Sequence, residues 1–157
     1  MIPTLSSNLG IVLVEPRIPQ NVGNIGRLCA CTGARLILVG DLGFTFDEKH
    51  LKRSGMDYLE FVTPERFPDL PDLLAEYPDW AVSFYSTKAK QIYTQTPFQE
   101  NHFLVFGSED RGLPAAIIET YANQCFRIPM LENRRSLNLS TSVGIVLYEG
   151  LRQLGQW

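Results

Sequence analysis

The chain has 157 residues, a length that fits one domain with a core of its own. Its hydrophobic content of 45% is ordinary for a globular protein, and its net charge of −3 argues mildly against a general nucleic-acid coat protein, which would carry a basic excess. No apolar run approaches the roughly 20 residues that cross a bilayer. The N-terminal stretch MIPTLSSNLG lacks the pattern of a signal peptide, so we expect a cytoplasmic protein that is not embedded in a membrane.

The cysteines and histidines follow no pattern typical of a metal site or a disulfide framework. Cys29 and Cys31 lie on different faces of a predicted helix, and Cys125 lies in a predicted strand. We therefore predict three reduced, packed thiols and no metal.

Short apolar runs alternate with helical segments along the whole chain. In chain order, the predicted strands are 10–15, 35–39, 58–62, 80–85, 102–106 and 125–128, and the predicted helices are 21–32, 47–54, 64–77, 114–121 and 139–154. This alternation is typical of an α/β fold, with a mainly parallel sheet and helices on both faces. No repeat or linker divides the chain, so we predict a single domain over residues 1–157.

Three polar turns, at 19–27, 107–114 and 130–140, each follow a predicted strand. A fourth strand end, at 85–88, is also polar. Because ligands of open α/β sheets bind beyond the carboxyl ends of the strands, we expect these loops to build one common site.

The first turn has a functional and a plain structural interpretation. Gly23 and Arg27 share a helix face, which leaves room for a substrate group beside the guanidinium. Alternatively, Asn21 only caps the helix and Arg27 is only a surface charge. Asp41 follows the second strand, where a ribose-binding acid lies in nucleotide-binding enzymes, although Gly23 and Gly26 lack the GxGxxG spacing. A Rossmann-type enzyme acting on a small molecule therefore stays an alternative.

The second and third turns also have a plain interpretation. Glu109 stands between two glycines and ahead of a proline, as in an ordinary turn from strand to helix. Ser136, Asn138 and Ser140 precede the last helix, and one of them is expected to cap it.

Taken together, the turns resemble the motifs of the SPOUT superfamily of S-adenosylmethionine-dependent RNA methyltransferases, in its ribose 2′-O-methylating branch. The first motif is similar to residues 21–27 (NVGNIGR), the second to residues 104–114, and the third to residues 128–130 (IPM) and 136–140 (SLNLS). Further similarity over residues 15–19, 52–58 and 148–155 points to a small single-domain subgroup, which methylates the wobble cytidine or uridine of certain leucine tRNAs.

The resemblance implies a C-terminal trefoil knot and a homodimer with its active site near the subunit interface. The last helix agrees with this, because its apolar residues spread over more than one side and need cover there. Burial of the same helix in a monomer core is the alternative. Methylation at another tRNA or rRNA position is the alternative for the activity.

The resemblance also implies roles for particular residues. Arg27 would stabilise the charge that develops on the ribose oxygen, since a guanidinium rarely gives up its proton. Asn21, Glu109 and Asn138 would brace Arg27 and the third loop. The S-adenosylmethionine site would use Tyr85, Gly107, Ile128, Met130, Ser136 and Leu137. Apart from the resemblance, basic residues cluster at 49–53 and at 134–135, and we expect tRNA to bind Arg17, Lys52, Arg53, Arg134 and Arg135.

Overall fold

The computed structural model describes residues 8–45 and 62–156. Its strands are β1 Leu9–Val14, β2 Arg35–Val39, β3 Glu65–Phe67, β4 Ala81–Tyr85, β5 Gln91–Ile92, β6 His102–Phe106 and β7 Cys125–Arg127. Its α-helices are α1 Pro19–Thr32, α2 Leu70–Glu76, α3 Ala115–Thr120 and α4 Leu139–Gln153, and short 3₁₀ turns span Tyr93–Gln95 and Ala122–Gln124.

The described strands form one sheet in the order β3-β2-β1-β6-β4-β7-β5, and every pairing in it is parallel. Strands β1 and β6 are buried along their whole length. Such strands must be apolar on both faces, which explains their continuous runs of Val, Leu, Ile and Phe. Helices α1 and α4 cover one face of the sheet, and α2 and α3 cover the other. The predicted fold class is confirmed.

Helix α4 packs against α1 and the sheet through one buried side. Its Val143, Val146, Leu147 and Leu151 are fully buried. Each such side chain stabilises the fold by roughly 1.5–3 kcal/mol relative to exposure. On the opposite side, Tyr148 remains 42% exposed. The trefoil knot stays a prediction.

The helix expected over residues 64–77 is wrong in its first half. Glu65–Phe67 forms β3 beside β2, and the helix begins only after Asp69, whose carboxylate accepts a hydrogen bond of 2.8 Å from the Asp72 N–H. Pro68 explains the difference, because the residue before a proline is driven out of the helical region. Strand β5 was not predicted. The predicted helix 47–54 and all but the last residue of the predicted strand 58–62 lie outside the described residues.

The three cysteines are free thiols, but the predicted packing is wrong for Cys31. Cys29 and Cys125 are buried and Cys31 is exposed. Burial raises the pKa of the Cys29 thiol to about 12 and also raises that of Cys125. Within residues 8–45 and 62–156, no group of His, Cys, Asp and Glu side chains is placed to hold a metal ion. No helix in those ranges is long and apolar enough to cross a membrane.

Candidate active site

A cavity of about 590 Å³ lies at the carboxyl ends of β4, β6 and β7, beside the first turns of α1 and α4. Its position is the one that a parallel sheet favours for a ligand. The loops that follow β1, β4, β6 and β7 all contribute to its wall, which agrees with the common site expected from the polar strand ends. The six residues predicted for the S-adenosylmethionine site all line it: Tyr85, Gly107, Ile128, Met130, Ser136 and Leu137.

Glu109 ties the loop after β6 to the start of α1. Its carboxylate accepts hydrogen bonds from the main-chain N–H of Arg17 at 2.9 Å and of Ile18 at 2.6 Å. It also accepts one from the Asn21 side-chain amide at 3.2 Å. A carboxylate at this place stabilises a helix N-terminus, where N–H groups lack partners within the helix. Glu109 therefore anchors α1 from outside the helix.

Asn21 and Asn138 continue this connection to α4. The Asn138 amide donates a hydrogen bond of 3.2 Å to the Asn21 side-chain oxygen. The Asn138 oxygen caps α4 by accepting from the Thr141 N–H at 3.2 Å and from the Ser140 hydroxyl at 2.6 Å. Asn21 does not cap α1, because that helix begins at Pro19, with Ile18 in the capping position. One chain of hydrogen bonds thus joins all three polar turns.

The loop after β6 is a tight turn that only glycine permits at one position. The Gly112 N–H donates to the Ser108 carbonyl at 2.9 Å, and Gly112 has a positive φ of 66°. A Cβ placed on Gly107 would overlap the backbone of Gly112 and Leu113. Gly107 thus lets the turn fold back on itself, which fixes the position of Glu109.

Tyr85 forms part of the cavity wall. Its ring stacks on Phe106, with the ring centroids 5.0 Å apart. Its hydroxyl shares a hydrogen bond of 3.1 Å with the buried Thr96 hydroxyl. Burial raises the pKa of Tyr85, so the phenol stays protonated at neutral pH.

Arg27 is placed differently from the other predicted catalytic residues. It lies on the exposed side of α1 and is not among the residues that line the cavity. Asn24 and Cys31, one turn to either side, are exposed as well. Arg27 thus belongs to an outer face of α1, whereas Asn21 is buried against Glu109 and Asn138.

The predicted RNA-binding residues fall into three groups. Arg135 lines the cavity, and Arg134 next to it is exposed. Arg17 lies beside the cavity, where its Nε is 3.7 Å from a carboxylate oxygen of Asp110. Lys52 and Arg53 lie outside the described residues.

Two cations of the cavity wall, Lys88 and Arg111, were missing from the predicted site residues. Lys88 belongs to the polar strand end at 85–88, so its loop was expected at the site although the lysine itself was not singled out. Arg111 follows Glu109 within the second motif. The resemblance in the second motif rests on its glycines and on Glu109, and it implies no role for Arg111.

The cavity fits a nucleoside that carries an amino-acid arm, as S-adenosylmethionine does. Its volume lies in the range of small-molecule sites. Its wall combines apolar side chains, including Ile128 and Leu137, with polar groups from several loops. Apart from the turn at 132–133, the main chain of residues 131–137 makes no hydrogen bond to described residues, so its remaining N–H and C=O groups can pair with a base edge.

Comparison with known proteins shows similarity to one family of RNA methyltransferases, in both sequence and structure. The model of the SpoU rRNA methylase family matches residues 8–148. A tRNA (cytidine(34)-2′-O)-methyltransferase of Escherichia coli strain K12 is 46% identical over 149 residues, which cover 94% of each chain.

Solved structures agree with this similarity. A structure described as giving insights into the 2-OH methylation of C/U34 on tRNA superposes with a TM-score of 0.87 at 35% identity, over 95% of this chain and 97% of that one. The SpoU methyltransferase AviRb from Streptomyces viridochromogenes, solved in complex with AdoMet, shares the fold, with a TM-score of 0.81 at 23% identity. That match covers 100% of this chain and 63% of the other.

Proposed function

This chain belongs to the SpoU rRNA methylase family, and on that premise we propose that it methylates the ribose 2′-hydroxyl of the wobble nucleotide, position 34, in leucine tRNAs. Membership in this family makes the chain a methyltransferase, and the resemblance to SPOUT enzymes is confirmed. The relative in Escherichia coli carries position 34 in its name. The leucine tRNAs, and the choice between cytidine and uridine there, rest on the sequence resemblance alone.

The observation that carries the proposal is the chain of hydrogen bonds from Glu109 through Asn21 to Asn138. These three residues come from three separate strand ends, and each contacts the next at the wall of one cavity. A network of this kind holds loops in a fixed relative position, which a transfer between two bound molecules requires. An ordinary surface turn would not need hydrogen bonds that connect Glu109, Asn21 and Asn138.

When bound in the cavity, S-adenosylmethionine supplies a methyl group made electrophilic by the attached sulfonium. The tasks of the chain are then to hold the ribose hydroxyl close to that group and to stabilise the negative charge that develops on its oxygen. We assign the second task to Arg27. Its guanidinium stays protonated, so it acts electrostatically and the hydroxyl proton leaves to solvent.

Arg27 requires a second copy of the chain for this role. It lies outside the wall of its own cavity, on an exposed face of α1, and Tyr148 of the neighbouring helix α4 is also exposed. We propose a homodimer that covers this face and brings Arg27 of one copy to the cavity of the other. Each single-domain chain would thus supply half of two shared sites.

The function is tested by transfer of a labelled methyl group from S-adenosylmethionine to tRNA, followed by mapping of the methylated nucleotide. We expect label at the 2′-oxygen of nucleotide 34 in leucine tRNAs that lack the modification, and about 100- to 1000-fold slower transfer with the Arg27→Ala variant. Label at another nucleotide would retain the ribose methyltransferase but overturn the position. Label on a base would overturn the proposed chemistry.

A further inference from the structure

Three neighbouring strands each place one cation at the cavity. Strands β6, β4 and β7 are adjacent in the sheet, and the loops after them carry Arg111, Lys88 and Arg135, respectively. All three residues are exposed, and none forms an ion pair within 4.0 Å with a described acidic group. The positive charges therefore line one side of the cavity without close partners in the described part of the chain.

The acidic groups of the same wall are already occupied. Both oxygens of Glu109 accept hydrogen bonds from N–H groups around the start of α1. The carboxylate of Asp110 accepts from the Ser108 hydroxyl at 2.9 Å and faces the Arg17 side chain. The Ser108 hydrogen bond is the main reason for a lowered pKa of Asp110, and the charges of Arg17 and Arg111 contribute less.

The turns that carry Lys88 and Arg111 are held by internal hydrogen bonds. The N–H of Lys88 donates to the Ser86 hydroxyl at 3.1 Å, and that of Arg111 donates to the Ser108 hydroxyl at 3.2 Å. The main chain at both positions is thus fixed, whereas both residues are exposed at the cavity wall. A fixed backbone reduces the conformational entropy lost when a ligand binds.

The cofactor alone does not account for this charge. S-adenosylmethionine has one carboxylate, but its sulfonium and amino groups give it about one net positive charge at neutral pH. With Glu109 and Asp110 on the same wall, the three cations leave about one net positive charge there, which a cofactor that is itself positive does not neutralise. The RNA substrate supplies negative charge in its phosphates.

We propose that Lys88 and Arg111 bind backbone phosphates of the single-stranded RNA segment that presents the target ribose. This inference rests on the proposed function and adds two positioning residues to it. Single-stranded nucleic acid releases counterions with a salt slope of about 0.7 per neutralised phosphate. Two such contacts account for about 7-fold of the affinity lost between 50 and 200 mM salt.

The test compares the Lys88→Ala/Arg111→Ala double variant with a control of equal charge, Lys90→Ala/Arg152→Ala. Lys90 and Arg152 are exposed and do not line the cavity. Binding of unmodified leucine tRNA is measured between 50 and 200 mM salt, and binding of S-adenosylmethionine is measured separately by calorimetry. Between 50 and 200 mM salt, the affinity for tRNA should fall by a factor that is about 7 times smaller in the double variant than in the wild type. We also expect the double variant to bind S-adenosylmethionine within about 2-fold of the wild type, and the control to match the wild type in both assays.

Each other result overturns the inference. An unchanged salt slope, or a slope reduced equally in the control, would mean that these residues touch no phosphate. Weaker cofactor binding with unchanged tRNA binding would assign the two cations to the cofactor carboxylate. A wild-type protein that neither binds nor methylates tRNA would remove the proposed function as well, so the two failures are distinguishable.

Discussion

Asn138 has two separable tasks, and two substitutions distinguish them. Its side-chain oxygen caps α4, while its amide donates to Asn21. Asn138→Ala removes both interactions. Asn138→Asp keeps an oxygen for the cap and replaces the donating amide with a second acceptor that faces the Asn21 oxygen.

The structure gives a magnitude for each substitution. Loss of an N-cap destabilises by about 1 kcal/mol, and loss of a neutral hydrogen bond by about another 1 kcal/mol. Asn138→Ala should therefore cost roughly 2 kcal/mol, or a fall in Tm of about 4–8 °C for a chain of this size. In Asn138→Asp, the charge at the N-terminus of α4 contributes about 0.3–1 kcal/mol of stability, so its Tm should stay within about 3 °C of the wild type.

Activity should separate from stability in these variants. Both should methylate slowly, because both break the connection between the third loop and α1. Thermal unfolding by circular dichroism and single-turnover methyl transfer measure the two effects, and an Asn21→Ala/Asn138→Ala double-mutant cycle gives the coupling directly. We expect a coupling of about 1 kcal/mol in stability. Full activity in Asn138→Asp, or an additive cycle, would refute the idea that the Asn21–Asn138 contact organises the site.

Three further predictions address other parts of the molecule. Arg27→Ala should fold normally and lose about 100- to 1000-fold in methyl-transfer rate, and mixing it with Asn138→Ala should restore up to about a quarter of wild-type activity if Arg27 acts across a dimer. No restoration would place both residues in the same chain's site. Gly107→Ala should lose S-adenosylmethionine binding in calorimetry and unfold at a lower temperature, since a Cβ there overlaps Gly112; unchanged binding would contradict the tight turn. Burial lowers the pKa of His102 to about 4, so the folded state holds it neutral, and its contribution to stability is complete above pH 6.5 and is lost as the pH falls toward 4. Urea unfolding should show a loss of about 3 kcal/mol over that range, which His102→Gln should reduce; equal profiles for the two proteins would speak against a buried neutral imidazole.

The sequence was informative where local pattern determines structure. Apolar runs predicted the buried strands, and the polar segments after them predicted the loops that line the cavity. The Pro68 signal was present as well, and it explains why β3 replaced the first half of a predicted helix.

Long-range contacts left no such signal. Two of the three partners of Glu109 are main-chain N–H groups 91 and 92 positions away, and any residue other than proline offers the same N–H group. Arg27 is exposed and outside the cavity wall, and the helical pattern of α1 alone does not specify which of its polar residues face the cavity. Lys88 is a single lysine in a short turn, and only the sheet order brings it beside Arg111 and Arg135.

The contrast between buried and exposed thiols gives this protein a selective labelling position. Only a thiolate attacks an alkylating reagent, and Cys29 and Cys125 are both enclosed and kept protonated. Cys31 faces outward one turn after Arg27. A maleimide dye therefore reaches Cys31 in a single folded copy, and slower labelling at higher protein concentration would report that a second copy covers that side of α1.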